Sequence, residues 1–173
     1  ELYAKYGTRE SRFDSGEALF IKYMLQTILP EAVRNRISSD LFEKYIGVNE
    51  EQLAYELYMT WEQVRTMKRH GMYIGIHGYD HYWLAHLSEE QMRADIDKAL
   101  RVMDEFIDAG AWVMNYPYGN YNEQVIRYIQ NRGCCLGFTT EVRAADLNRE
   151  NPYKLPRLDC NDFPPKSDNF KKM

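Results

Sequence analysis

Hydrophobic positions along the chain change their period near residue 60. Before that point apolar residues recur at helical spacing. In GEALFIKYMLQTILPEAV they fall at 19, 20, 24, 25, 28 and 29, which predicts an amphipathic helix that Pro30 ends or restarts. SSDLFEKYIG predicts a second helix with a serine cap and Gly47 as its stop, and NEEQLAYELY a short third one. From Thr60 onward, helix and strand patterns alternate. TWEQVRTMKRHG opens with Thr60 and Gln63 in capping-box register, carries basic residues in its last turn and stops at Gly71. MYIGI reads as a strand. The next helix, SEEQMRADIDKALRVMDEFIDAG, runs from a capping box at Ser88 and Gln91 to Gly110. AWVMNYP is a strand, YNEQVIRYIQNRG a helix closed by Gly133, and CCLGFTT a third strand. Strands separated by helices of this length pair in parallel and carry functional residues in the loops beyond their carboxyl ends. The proline-rich tail, NPYKLPRLDCNDFPPK, predicts irregular chain with one short edge strand at 155–160.

Composition narrows this picture. A chain of 173 residues, 45% hydrophobic and 14% aromatic, suffices for the core of one compact domain. The net charge of −4, with Lys and Arg scattered, lacks the electrostatic footprint of a nucleic-acid partner. No apolar run is long enough to span a membrane, and no charged segment leads into an apolar one at the amino end, so a soluble chain is expected. Glu1 is not a start methionine, so an upstream segment could have been removed. Cys134, Cys135 and Cys160 form neither a disulfide framework nor a C-x-x-C motif. They read as reduced thiols, the adjacent pair as buried strand packing, and favour a cytoplasmic location unless an upstream signal has been lost.

Two loops then stand out. In HGYDH, His77 and His81 lie four residues apart, a spacing that lets two imidazoles reach one ion or serves two polar residues of an ordinary turn. Gly78 occupies the place where an H-E-x-x-H peptidase needs its glutamate. Asp80 reads as an acceptor fixing a histidine tautomer or as a turn residue. His70 suits the carbonyl end of its helix dipole, and His86 has no evident role. In NYPYGNYN, Pro117 and Gly119 predict a tight turn, with the Tyr118 backbone N–H at the mouth of a site, either as a plain turn or as an oxyanion donor.

The order of these parts, from MTWEQVRTMKRHGMYIGIHGYDHYWLAHLSEEQMRADIDKAL to NYPYGNYNEQVIRYIQNRG, resembles the NodB-like polysaccharide deacetylases, carbohydrate esterase family 4, over about Tyr58 to Thr140. The resemblance implies an α/β fold: a partial or distorted (β/α) barrel of parallel strands, residues 58–173, behind a helical amino-terminal region or insertion, residues 1–57. It also implies a divalent metal, usually zinc, held by two histidines and an aspartate, activating water to remove acetyl groups from N-acetylated sugars. His77 and His81 match the histidine ligands, and Tyr118 matches the residue whose N–H holds the oxyanion. The family's T-F-D-D motif is missing, and RFDSG at 12–16 resembles a degenerate copy in which Asp14 would take the catalytic role and Ser15 would replace the metal-binding aspartate. Asn115 stands where the family has an arginine that orients the base, and no leucine-x-histidine motif follows. PRLDCND offers Arg157, Asp159 and Asp162 in the corresponding region, with Asp162 read as a solvated loop residue.

Two explanations follow: a carboxy-terminal piece of a longer protein, or a protein that has lost the chemistry. The expected function is a metal-dependent sugar N-deacetylase-like hydrolase of amide bonds on a bacterial glycan or its precursor, incomplete or weakly active as this chain. The alternative is a non-catalytic carbohydrate-binding or regulatory protein on the same scaffold. A carbohydrate is the expected partner, and the oligomeric state is left open.

Overall fold

The structure, a computed structural model, describes residues 1–7 and 14–172. The chain divides into two units, Glu1–Thr60 and Trp61–Met173. The first unit is helical: α1 (Leu2–Tyr6), α2 (Gly16–Tyr23), a π-helical turn (Met24–Ile28), α3 (Glu31–Tyr45) and α4 (Glu50–Leu57). Ser15 caps α2 by accepting from the Ala18 N–H at 3.4 Å, and Asn49 caps α4 by accepting from Gln52 at 3.0 Å. Aromatic pairs tie α1 to α2, Tyr3 edge-on to Phe20 and Tyr6 stacked on Tyr23. The helix expected to begin at the serines begins earlier. Pro30 precedes the first turn of α3 and its carbonyl accepts from Val33 and Arg34, so Ser38 and Ser39 lie inside the helix rather than at its cap.

In the second unit α5 (Trp61–Arg69) leads through Gly71, at φ +81°, into the extended residues before His77. α6 (Glu89–Val102), β1 (Trp112–Asn115), α7 (Glu123–Asn131) and β2 (Cys134–Phe138) follow. Ser88 and Gln91 form the expected capping box. α6 stops short of Gly110, because Phe106 and Ile107 bond back to the Met103 carbonyl and the buried Phe106 ring stacks on Trp61.

β1 and β2 pair in parallel, with Val113 opposite Leu136 and Asn115 opposite Phe138, after a bulge at Trp112–Val113. Only Ile76 of the MYIGI segment joins, bridging Met114 in parallel, and Leu155 of the tail bridges Phe138 in the same sense. Four chain segments therefore run side by side in sequence order, all parallel. This is a small parallel sheet in a mixed helix and sheet unit. MYIGI forms a bridge rather than a strand because, before Ile76, Met72 and Tyr73 are exposed and Tyr73 reaches the sheet only through its hydroxyl, which donates to the Ala111 carbonyl.

The apolar stripe of α6 (Met92, Ile96, Ala99, Leu100) and that of α7 (Val125, Ile129) close over Trp112, Met114 and Tyr116 to make the core. The Trp112 indole donates to the Arg132 carbonyl and the Tyr116 hydroxyl to that of Tyr153, so both buried polar tips are satisfied. Cys134 is buried and its thiol is pushed up to about 12 by burial. Cys135 corrects the expectation of a buried pair: neighbours on a strand face opposite ways, and it is exposed.

Gly133, at φ +87°, turns the chain from α7 into β2, and a Cβ there would collide with the Ala109 carbonyl. Gly71 has comparable φ but open space around it. Gly133→Ala should therefore cost about 1–3 kcal/mol, and more than Gly71→Ala, in urea unfolding with an unchanged slope. Equal losses would show that the Ala109 contact does not constrain the turn.

Candidate active site

Because the four bridged segments are parallel, their carboxyl ends emerge together, and each delivers a polar residue. His77 follows Ile76, Asn115 ends β1, Thr139 follows β2, and Arg157 lies two residues past Leu155. These residues are bonded to one another. The His77 Nδ1–H donates to the Asn115 carbonyl at 2.7 Å, the Arg157 Nη1–H donates to Asn115 Oδ1 at 3.0 Å, and the Arg157 Nε–H donates to the Thr139 carbonyl at 2.9 Å. Asn115 thus holds an imidazole with its backbone and a guanidinium with its side chain.

With Nδ1 committed as donor, a neutral His77 leaves Nε2 unprotonated. His81 Nε2 lies 3.0 Å from it, close enough for the two nitrogens to share one ion at ordinary Zn–N lengths of about 2.0–2.1 Å. The residues present therefore fit two positions of a divalent-metal site. Among the described residues no third His, Cys, Asp or Glu joins them. Partial burial of the His81 ring lowers its pKa by disfavouring the charged form, the neighbouring His77 lowers it further, and the Asp95 charge opposes both.

His81 and Tyr118 both have left-handed backbones, at φ +56° and +57°, and their rings meet edge to face at 4.6 Å. Non-glycine residues rarely take this conformation, and it concentrates at sites where surrounding contacts hold it. Those contacts are visible. Trp83 stacks on the Tyr118 ring at 4.8 Å and on the His86 ring at 5.3 Å, and Asn120 Oδ1 accepts from the Ala85 N–H at 2.8 Å. The P-Y-G turn is a 3₁₀ turn, Pro117–Gly119, bound to the Leu84–His86 turn through these links.

The other expected residues are placed differently. Asp14 belongs to the first unit, where both its oxygens accept from Lys22, at 2.8 and 2.7 Å; Arg12 and Phe13 of the RFDSG motif lie outside the described residues. Asp159 is exposed and caps the short Cys160–Asp162 turn, accepting from Asn161. Asp162, expected in a solvated loop, is instead 1% exposed, its carboxylate taken by the Asp159 N–H and the Asn169 amide. His70 donates from Nδ1 to the Thr66 carbonyl, as a helix-end residue. Asp80 is a turn residue whose backbone N–H bonds to Asp95 at 2.8 Å. Asp95 and Trp83 are the residues that sequence reasoning missed. A signal for Asp95 was present: a carboxylate at the i+3 position from Met92, inside an apolar helical stripe.

With the parallel arrangement and the His77–His81 geometry in hand, comparison with known proteins is decisive. The polysaccharide deacetylase family model matches residues 34–135. The chain belongs to the polysaccharide deacetylase family. It is 28% identical over 106 residues to the polysaccharide deacetylase homologue YxkH of Bacillus subtilis (strain 168), a match covering 61% of this chain and 38% of that protein. The chain thus spans about two fifths of its curated relative. The structure of Streptococcus pyogenes deacetylase PplD in complex with acetate matches with a TM-score of 0.57 at 22% identity, over 70% of this chain and 54% of that one. That likeness shows a shared fold.

In the metal-free protein His81 should titrate below the ordinary histidine value of about 6.5, and His77→Ala should move its midpoint upward by removing the like-charge neighbour. The sign follows for stability: with a folded pKa below the unfolded one, the His81 contribution is complete above about 6.5 and is lost as pH falls through the folded pKa. Imidazole NMR titration reads the midpoint; an unshifted His81, or no response to His77→Ala, would refute the coupling.

Proposed function

We propose that this member of the family carries the histidine part of a metal-dependent sugar N-deacetylase site, acting on the acetamide of a bacterial glycan or its precursor. The observation that carries the reading is the facing Nε2 pair of His77 and His81, with the His77 tautomer held by the Asn115 carbonyl. A second-sphere acceptor on the far nitrogen is the usual support of a metal-ligating histidine. A divalent ion such as zinc, when bound, would supply Lewis-acid polarisation of the acetamide carbonyl and acidify water.

The chain's own residues take the remaining roles. His77 and His81 bind the ion, and the backbone N–H of Tyr118, in the turn beside His81, takes the developing oxyanion. Asn115 occupies the family's arginine position, and the guanidinium of Arg157 reaches that position through Asn115 Oδ1, restoring the positive charge from a later segment. The four parallel segments are read as one arc of the distorted (β/α) barrel. Asp14 and Asp159, engaged with Lys22 and Asn161, are weaker candidates for the acid or base. Among the described residues two imidazoles make an incomplete ligand set, and on this reading the chain by itself is a weak deacetylase or an inactive one. A second reading, a non-catalytic glycan-binding protein, draws support from the aromatic stack of Tyr118, Trp83 and His86 beside the pair.

Calorimetric titration with Zn²⁺ should show one ion per chain, with affinity reduced by more than about tenfold in His77→Ala, alongside slow or absent release of acetate from N-acetylglucosamine oligomers. Enzyme-like hydrolysis that His77→Ala leaves unchanged would overturn the assignment. Glycan binding that persists after chelation, without stoichiometric metal, would favour the second reading.

A further inference from the structure

The buried stripe of α6 consists of Met92, Asp95, Ile96, Ala99 and Leu100, and one of these five is charged. Asp95 is 4% exposed. Removing a carboxylate from water is costly unless hydrogen bonds and nearby charge replace its hydration. At Asp95 the replacement is the histidine turn itself. Oδ1 accepts from the Asp80 N–H at 2.8 Å and Oδ2 from the Tyr79 N–H at 3.1 Å. Two successive backbone donors converging on one anion form a nest.

Gly78 completes the contact. Its φ is +68°, and a Cβ there would lie 3.0 Å from Asp95 Oδ2 and 3.3 Å from Pro117 Cγ, so the backbone lies flush against the carboxylate. All three residues between His77 and His81 are therefore held by Asp95, two by hydrogen bonds and one by close approach. Among the described residues no lysine or arginine forms an ion pair with Asp95. The nearby Lys98 places its ammonium over the Tyr79 ring at 3.7 Å.

We infer that Asp95 is a positioning residue for the histidine pair: it clamps the Gly78–Asp80 turn so that the two Nε2 atoms converge, and its buried negative charge favours a divalent cation between them. This rests on reading the pair as a metal site. It goes further by assigning the site's geometry and its charge balance to a helix residue outside the H-x-x-x-H and P-Y-G motifs.

The test uses the full chain and Co²⁺ as the probe, followed by visible d–d absorption and chelator competition, with amide exchange at Tyr79 and Asp80 measured by NMR. Asp95→Asn is close to isosteric but lacks the charge and one acceptor. It should weaken Co²⁺ binding by about 10–100-fold, alter the absorption band and speed exchange at one or both amides. Gly78→Ala keeps the carboxylate but pushes it from the turn, and should weaken binding in the same direction even if Asp95→Asn does not fold. If the wild-type chain binds Co²⁺ and folded Asp95→Asn or Gly78→Ala binds it within twofold with the same band, the positioning role is overturned while the metal reading stands. A wild-type chain that binds no Co²⁺ overturns both.

Discussion

The backbone exchange between Ile76 and β1 is the constraint on which the site depends. The Ile76 N–H donates to the Val113 carbonyl and the Asn115 N–H donates to the Ile76 carbonyl, each at 2.8 Å. A parallel bridge is directional, so it sets which ends of the two segments coincide. Once Ile76 lies against Met114, His77 must emerge next to Asn115, and the 2.7 Å bond between imidazole and carbonyl follows. Gly75 permits the approach, since even a Cβ there would come within 3.1 Å of the Val113 carbonyl.

The packing behind this bridge keeps it from slipping. Ile76, Met114 and Trp112 are buried to 1% exposure or less, wedged between the sheet and the stripes of α6 and α7. A one-residue slip would turn these side chains toward solvent and bring polar neighbours inside. The same α6 stripe carries Asp95, so the helix that seals the core also reaches the histidine turn. Core and site share an element, which couples the stability of one to the geometry of the other.

Much of this was legible along the chain because the signals are local. Capping at Ser88, the stop at Gly133 and the alternation of helix and strand after residue 60 depend on neighbours a few positions apart. Errors arose where local signals competed. Pro30 begins α3 more effectively than the serines at 38 and 39, and strand alternation separates Cys134 from Cys135. The burial of Asp162 has no local signal because its partners, Asp159 and Asn169, are brought to it by the fold of an irregular, proline-rich tail that has no period to read.

By itself the sequence determined most of the element types after residue 60, the parallel order and the two loops that bear the candidate site, since hydrophobic period, caps and turn residues encode these over short range. It also supplied the H-x-x-x-H and P-Y-G spacing by which the family is legible. Tertiary structure decided what the histidines face, that Arg157 donates to the Asn115 side chain, and that Asp95 holds the turn between them. Those contacts join residues 15 to 42 positions apart, apart from the histidine pair itself, whose ring directions depend on a left-handed backbone at His81. Spacing along a chain carries no distance information at that range; the distance comes from which segments pack together.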